Sequence, residues 1–154
     1  MILEELLVRK GEEEDIAQVL ELVKELALYE KASHEVTVTK ESMLKDGFGP
    51  EKIYDFLVAE WTGKVIAAAI FFNKYSTWKG KCVYLDDIIV HEPYRGKGIG
   101  RIMMQEVIKE AKRRKAARLE WQVLDWNEPA IRFYEKFEAQ LDGEWINCRL
   151  FFEY

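Results

Sequence analysis

The segment from Cys82 to Val123 constrains the fold more than any other part of the sequence. Residues 82–90 form an apolar run typical of a strand, and a loop with three glycines, Arg95-Gly96-Lys97-Gly98-Ile99-Gly100, follows it. After this glycine loop, apolar residues recur with helical spacing as far as Ala111, and residues 118–123 again have a strand pattern. A strand, a helix and a second strand in this order predict a βαβ unit.

The remaining patterns place further strands and helices around this unit. Apolar residues from Ile16 onward recur with helical spacing, and Thr39 and Asn127 are typical helix caps. We therefore predict an α+β fold, with a central mixed but mostly antiparallel sheet flanked by about four helices. The predicted strands are Leu6–Arg9, Phe56–Glu60, Lys64–Phe72, Cys82–Val90, Arg118–Val123 and Ile146–Phe152, and the first two helices are expected to end near Tyr29 and at Gly47, the latter in a left-handed conformation.

The length of 154 residues, with 49% of them hydrophobic, fits one domain over residues 1–154 around a single core. Glu4 and Glu5 follow Met1 where a secretory leader would carry basic residues, and the longest apolar run, Val65–Phe72, is too short to cross a bilayer. We expect a cytoplasmic protein, in which Cys82 and Cys148 are reduced core thiols.

The net charge of −5 is unevenly distributed, since residues 1–60 sum to −8 and residues 91–118 to +6. The acidic total argues against nucleic acid and anionic membranes as partners. With only His34 and His91 as histidines, and no paired ligand spacing around them, no metal site is predicted. We interpret Lys112–Lys115 as a solvated helix end.

The glycine loop has the features of a phosphate-binding loop. Glycines let backbone N–H groups approach a phosphate closely, and the helix that follows directs its positive dipole end at the same place. Arg101 stands where the dinucleotide fingerprint needs glycine, and the Gly-Lys-Ser/Thr of a Walker loop is missing. An ordinary glycine-rich turn is the alternative, although Arg95, Lys97 and Arg101 beside the glycines favour an anionic ligand.

Arg95-x-x-Gly98-x-Gly100 resembles the coenzyme A loop of the GCN5-related N-acetyltransferase (GNAT) family. The resemblance extends to Glu25–Glu30, to Asp46-Gly47-Phe48-Gly49 and to Trp126–Tyr134. Within the family, the chain is similar to diamine acetyltransferases of the spermidine/spermine type, and residues 124–127 are more similar to the thialysine branch. The resemblance implies a GNAT fold, acetyl-CoA as the acetyl donor and a homodimer, for which the alternating strand Ile146–Phe152 is a candidate interface element.

The resemblance also implies two catalytic residues. Tyr134 matches the tyrosine that acts as general acid near the coenzyme A sulfur. Asp86 stands where polyamine enzymes carry a glutamate that binds and deprotonates the amine, and its shorter side chain leaves room for a bridging water. An amine must lose a proton before it attacks, and by residue type either Asp86 or Asp87 can accept that proton. The two acids also fit a pair at a strand bulge, and Tyr134 also fits a half-buried helix aromatic.

Two further sets of residues follow from the resemblance. Glu138 departs from the family pattern, because a glycine usually follows the tyrosine helix, and the shortened segment before Trp145 weakens the match of Glu144. The expected cofactor-binding residues are Ile88, Ile89, Val90, Arg95, Gly96, Lys97, Gly98, Ile99, Gly100, Arg101, Asn127, Glu128, Pro129 and Ala130. The expected amine-binding residues are Tyr29, Glu30, Asp86, Glu120, Trp121, Gln122 and Glu144.

These observations predict an N-acetyltransferase that moves the acetyl group of acetyl-CoA to a small polyamine, diamine or thialysine-like amine. No cysteine nucleophile is apparent, which favours direct attack in a ternary complex. Two alternatives stay open, an acetyltransferase that acts on a protein or peptide and a non-catalytic acyl-CoA-binding module.

Overall fold

The computed structural model describes residues 4–154, which contain a mixed sheet and four α-helices. The strands are β1 Leu7–Lys10, β2 Asp55–Trp61, β3 Lys64–Ser76, β4 Gly80–Val90 and β5 Arg118–Glu120, and the helices are α1 Ile16–Tyr29, α2 Lys40–Phe48, α3 Ile99–Arg113 and α4 Glu128–Glu135. The strand order is β1-β2-β3-β4-β5, with antiparallel neighbours except for the parallel pair β4 and β5. The predicted α+β class is confirmed.

The chain divides into two compact units, a larger one that ends at Gln122 and a smaller one that spans Val123–Tyr154. The larger unit contains the whole sheet together with α1, α2 and α3, and the smaller contains α4. No helix within residues 4–154 combines the length and the hydropathy that a bilayer crossing requires.

The core of the larger unit forms because α1 and α3 cover opposite faces of the sheet. Ile16, Val19 and Leu20 of α1 are buried with Ile70 of β3 in one cluster. The side chain that follows, Phe71, points to the other face, where the end of α3 packs against it. Other buried members of the α1 cluster are Leu22, Met43, Phe56, Val58, Val65, Ala68 and Ile89.

The predicted βαβ unit is present as β4, α3 and β5. The parallel ladder pairs Cys82 with Arg118 and Tyr84 with Glu120. β5 is shorter than the strand predicted for residues 118–123, since it ends at Glu120.

The solvated helix end predicted for Lys112–Lys115 is wrong for Arg114. Its guanidinium binds Asp55 at 2.9 Å and Glu110 at 2.9 Å, lies over the ring of Phe71, and leaves the side chain only 14% exposed. Hydrogen bonds from Arg113 and Arg114 outweigh burial and lower the pKa of Glu110 to about 2. These ion pairs fasten the end of α3 to the sheet.

Gly47 does not adopt the left-handed conformation predicted for it. It is a buried residue inside α2, and the helix continues to Phe48, with Gly49 as its C-cap at φ −76°. The reason for glycine at position 47 is packing, because a Cβ there would lie 2.7 Å from Oη and from Cζ of Tyr54.

The predicted strand Ile146–Phe152 is absent, since the described chain has no regular secondary structure after Glu135. Ile146, Leu150, Phe151 and Phe152 are each at least 71% exposed. An alternating pattern specifies a strand only where a neighbouring strand supplies the ladder, and this segment has none within the described chain. The prediction of two core thiols is therefore correct for buried Cys82 and wrong for exposed Cys148.

Replacing Gly47 with alanine should destabilise the protein, although alanine normally favours an interior helix position by about 1 kcal/mol. The added Cβ would collide with Tyr54, whose hydroxyl donates a 2.5 Å hydrogen bond to the Met43 carbonyl and so cannot withdraw without losing it. We expect Gly47→Ala to lower the free energy of unfolding by about 1–3 kcal/mol in urea denaturation.

Gly143→Ala is the matched control for this measurement, because a Cβ at Gly143 meets no described atom within 4 Å. An increase in stability for Gly47→Ala would contradict the packing argument.

Candidate active site

The glycine loop leads from β4 into α3 and presents backbone N–H groups to its surroundings. Gly96 and Gly98 adopt φ values of 74° and 82°, which L side chains rarely tolerate. Gly98 is the N-cap of α3 and provides no capping side chain, and the first turn contains no acidic residue. The first N–H groups of the helix therefore lack a partner within the helix. Lys97 and Arg101 lie exposed beside them, so the loop fits a phosphate.

β4 has one open edge next to this loop. Its ladder with β5 stops at Tyr84 and Glu120, whereas its ladder with β3 continues to Val90. From Ile88 to Val90, β4 is thus paired with a strand on one side only among the described residues. An extended ligand that carries amide groups fits such an edge as an added strand.

Asp86 and Asp87 lie at a β-bulge of β4. Leu85 pairs with Phe71 and Asp87 pairs with Ile70, so Asp86 has no opposite residue in β3. A bulge re-aims the side chains of its strand, and here both carboxyl groups line the same cavity. The bulge interpretation of this acidic pair is correct, and it places the pair at a pocket.

Glu30, at the C-terminal end of α1, joins these two residues in an acidic cluster. Burial raises the pKa of Glu30 and of Asp86. Burial, followed by the nearby charges of Asp86 and Glu30, raises the pKa of Asp87 to about 7. Carboxyl groups from two distant parts of the sequence thus meet at one place, where neighbouring charge disfavours the ionisation of Asp87.

A cavity of about 450 Å³ extends from Asp86 and Asp87 between α1, α2 and the sheet. Its wall is mostly apolar, and Asp46 of α2 adds a third carboxyl group to the lining. Carboxyl groups in a mostly apolar wall suit a cation on a short carbon chain. The lining residues are Val23, Val38, Met43, Asp46, Ile53, Tyr54, Ile70, Phe72, Asp86 and Asp87.

Two expected residues are engaged elsewhere in the larger unit. Glu120 lies opposite Tyr84 in the sheet, where it pairs with Lys74 at 3.4 Å and with Arg118 at 3.3 Å. Arg95 contacts Glu25, and its guanidinium lies 5.6 Å from the ring centroid of Tyr29. Trp121 and Gln122 follow directly after β5.

The smaller unit positions Tyr134 on α4. Asn127 is buried and caps this helix, as predicted, by accepting a hydrogen bond from the Ala130 N–H at 3.4 Å, and Pro129 lies in the first turn. Tyr134 is half-buried, and its ring lies edge-on to Phe133 with 5.3 Å between centroids. Glu138 adopts φ 61°, the conformation that favours the glycine expected there. Glu144 lies in the exposed C-terminal segment.

Comparison with known proteins identifies the family. The acetyltransferase (GNAT) family model matches residues 16–138, which is most of the chain. This chain belongs to the GNAT family. The predictions of the family and of an N-acetyltransferase are thereby confirmed.

Several curated relatives of this GNAT chain are named as N-acetyltransferases. A thialysine N-epsilon-acetyltransferase of Bos taurus is 37% identical over 142 residues, which cover 87% of this chain and 84% of the relative. L-ornithine N5-acetyltransferase NATA1 of Arabidopsis thaliana is 38% identical over 77% of this chain but only 49% of its own length. The solved structure of an aminoglycoside acetyltransferase from an uncultured soil sample has a TM-score of 0.79 at 12% identity, covering 99% of this chain and all of that chain, which shows the shared fold.

The sequence pattern alone assigns no role to Asp46 and Glu25, two groups that the structure places at the site. Asp46 lines the cavity. Asp87, which the sequence indicates as a possible base beside Asp86, lines the same cavity with a pKa raised to about 7. Glu25 contacts both His91 and Arg95. The sequence signal for Asp87 was its adjacency to Asp86, whereas the contacts of Glu25 join residues some 70 positions apart.

Asp87 should make stability depend on pH. Its pKa is about 7 in the folded chain and about 4 in an unfolded one, so ionisation favours unfolding. The free energy of unfolding therefore falls as pH rises from about 4 to about 7. Asp87→Asn removes the ionisable group and with it this loss. The change in the free energy of unfolding that the substitution causes should therefore be more favourable at pH 8 than at pH 4, by up to roughly 4 kcal/mol in urea titrations.

Exposed Asp125→Asn is the matched control, for which we expect no comparable change. Parallel pH profiles for Asp87→Asn and the wild-type protein would show that burial and neighbouring charge do not raise the pKa of Asp87.

Proposed function

We propose that this GNAT protein transfers the acetyl group of acetyl-CoA to a primary amine of a small polyamine, diamine or thialysine-like molecule, by direct attack in a ternary complex. The observation that carries this proposal is a mostly apolar cavity lined by Asp86 and Asp87, with Glu30 near enough to raise the pKa of Asp87. Carboxylates form charge-assisted hydrogen bonds with ammonium groups, and the aliphatic wall suits the carbon chain between them. The amine-directed names of the curated relatives point to the same class of acceptor.

Acetyl-CoA would supply an acetyl group activated as a thioester. The loop from Arg95 to Arg101 would hold its pyrophosphate, since the uncapped N-terminus of α3 offers backbone N–H groups beside Lys97 and Arg101. Ile88 to Val90 would pair with the pantetheine arm along the open edge of β4. Asn127, Glu128, Pro129 and Ala130 stay predictions as further cofactor contacts.

The acidic cluster would both bind and activate the acceptor amine. Free alkyl amines titrate near ~10.4, so most of the acceptor arrives as a cation and must lose a proton before it attacks. Glu30 and Asp86 would hold the cation. Asp87, with its pKa of about 7, is suited to proton transfer near neutral pH, either directly or through Asp86 and water. Tyr29, Glu120, Trp121, Gln122 and Glu144 stay predictions as further amine contacts.

Direct attack agrees with the state of the cysteines. Cys82 is fully buried in β4, where its thiol contacts the Gly80 carbonyl at 3.5 Å, so it cannot serve as a nucleophile. Both Cys82 and Cys148 are free thiols, which fits the reducing cytoplasm that we propose as the location.

One assay tests the proposed function. The wild-type protein is incubated with acetyl-CoA and, separately, spermidine, putrescine, thialysine, lysine and a lysine-containing peptide, and free thiol is followed. We expect thiol release with at least one small amine. Release with the peptide alone would favour a protein acetyltransferase, and coenzyme A binding without any release would favour a binding module.

Tyr134→Phe should separate chemistry from binding. If the phenol is the general acid for the departing thiolate, as we propose, its removal should lower kcat by on the order of 10²–10⁴. The affinity for acetyl-CoA, measured by calorimetry, should not change. Tyr154→Phe, which alters an exposed tyrosine outside α4, is the control. Wild-type turnover in Tyr134→Phe would exclude this role.

We also propose that the chain forms a homodimer through its C-terminal segment. Ile146, Leu150 and Phe152 alternate along the chain and are 71–87% exposed, so they provide an unpaired apolar strand pattern. β5 lies at the edge of the sheet, where one of its sides has no strand partner among the described residues. The segment of a second copy fits such an edge.

Leu150→Lys should therefore shift the protein from dimer to monomer in size-exclusion chromatography with light scattering. Glu153→Lys, an exposed charge change in the same segment, should leave the dimer intact. A wild-type monomer at micromolar concentration, or a dimer unaffected by Leu150→Lys, would exclude this interface.

A further inference from the structure

Glu25 joins helix α1 to the start of the glycine loop. Its Oε1 lies 2.8 Å from Nδ1 of His91, and its Oε2 lies 3.7 Å from Nη2 of Arg95. Oε2 is buried and accepts no hydrogen bond within the described chain. The Arg95 guanidinium is thus the charge that compensates this oxygen, because a buried carboxylate oxygen without a partner is costly.

Arg95 is held on three sides. Besides Glu25, its Nε donates a 2.9 Å hydrogen bond to the Val90 carbonyl, and its guanidinium lies over the ring of Tyr29. Lys97 and Arg101 differ from it, since no ion pair engages either of them within residues 4–154. The cations beside the glycine loop therefore divide into one that is engaged by the protein and two that are available to an anion.

Arg95 contacts residues on both the acetyl-donor side and the amine side of the proposed site. Val90 is the last residue of the β4 edge that would pair with the donor. Tyr29 immediately precedes Glu30 of the acidic cluster, which would bind the acceptor. Gly96 and Gly98 restrict the backbone of the glycine loop very little, because glycine has no side chain. The contacts of Arg95 therefore fix the position at which the loop begins.

We propose that Glu25 and Arg95 are positioning residues, which form a bridge that holds the acetyl-CoA loop and the amine end of α1 in register. This inference rests on the proposed function and replaces the expected role of Arg95 as a phosphate ligand. Phosphate contacts fall to the backbone N–H groups, Lys97 and Arg101. Disruption of the bridge displaces Tyr29 and Glu30 relative to the loop, and therefore affects the amine.

Steady-state kinetics and coenzyme A binding at several salt concentrations test the bridge. Glu25→Gln and Arg95→Gln should each raise the KM for the amine by about 2- to 30-fold, and the double variant should be no worse than either single one. Their coenzyme A affinity should keep the salt dependence of the wild-type protein. Lys97→Gln should instead weaken coenzyme A binding and reduce its salt dependence, because it removes an exposed cation near the phosphate.

Arg95→Lys separates a bridge from a phosphate ligand. Lysine keeps the charge but lacks the planar fork that contacts Glu25, Val90 and Tyr29 together. A bridge predicts a raised amine KM in Arg95→Lys, whereas a phosphate ligand predicts nearly wild-type kinetics. Glu21→Gln is the control, since exposed Glu21 lies one turn earlier on α1 and pairs with Lys24.

The outcomes distinguish this inference from the proposed function. If wild-type protein binds no coenzyme A and releases no thiol, the proposed function fails and the bridge fails with it. If the wild-type protein is active but Glu25→Gln and Arg95→Lys have wild-type amine KM values, only the bridge is overturned. Arg95→Gln could instead keep the amine KM and reduce the salt dependence of coenzyme A binding, as Lys97→Gln is expected to do. That result would overturn the bridge and would show that Arg95 is a phosphate ligand. Melting temperatures identify any variant that loses its fold. If Glu25→Gln or Arg95→Gln does so, the amine KM of Arg95→Lys decides between the bridge and the phosphate ligand.

Discussion

The two hydrogen-bonding edges of β4 determine where the site lies. Toward β3, the strand is paired along its length except at Asp86, where the bulge interrupts the alternation of side chains. Toward β5, it is paired over three residues only, from Cys82 to Tyr84. The first edge anchors the strand in the core, and the second leaves backbone groups open beside the glycine loop. One strand thus aims acids at the cavity and offers its backbone to an extended ligand.

The acidic cluster is unfavourable for the isolated chain. Burial raises the pKa of all three carboxyl groups, and the nearby charges of Asp86 and Glu30 raise that of Asp87 further, which means that the fold resists their ionisation. Such an arrangement lowers the stability of the folded chain when its groups ionise, in contrast to the ion pair between Arg114 and Asp55 at the end of α3. A cation that enters the cavity would relieve the repulsion. The charge pattern is consistent with binding as the purpose of the cluster.

Local patterns in the sequence predicted the elements that local forces determine. The βαβ unit follows from a change of hydrophobic period, and the caps at Thr39 and Asn127 follow from their side-chain chemistry. The predictions failed where a residue distant in sequence determines the conformation or the burial of a side chain. Gly47 is required by the ring of Tyr54, Arg114 is buried by Asp55, and the apolar alternation near Leu150 has no strand beside it.

The site was only partly predictable for the same reason. The glycine loop and the acidic pair Asp86-Asp87 are each a short continuous segment, so their chemistry can be recognised in the sequence. The convergence of Glu30 on Asp87, and the contact of Glu25 with Arg95, depend on how α1 crosses the sheet. The hydrophobic period places Glu25 and Glu30 on or at the end of α1. It does not predict which residues of the sheet they contact.

The pKa of Asp87 near 7 affects how much negative charge the acidic cluster carries at physiological pH. A substantial fraction of the molecules carries a proton on this side chain, so the three carboxyl groups hold fewer than three negative charges. Under the proposed function, an incoming ammonium group would lower this pKa and expel the proton to solvent. Amine binding would then also be a proton exchange, and its measured heat would vary with the ionisation enthalpy of the buffer.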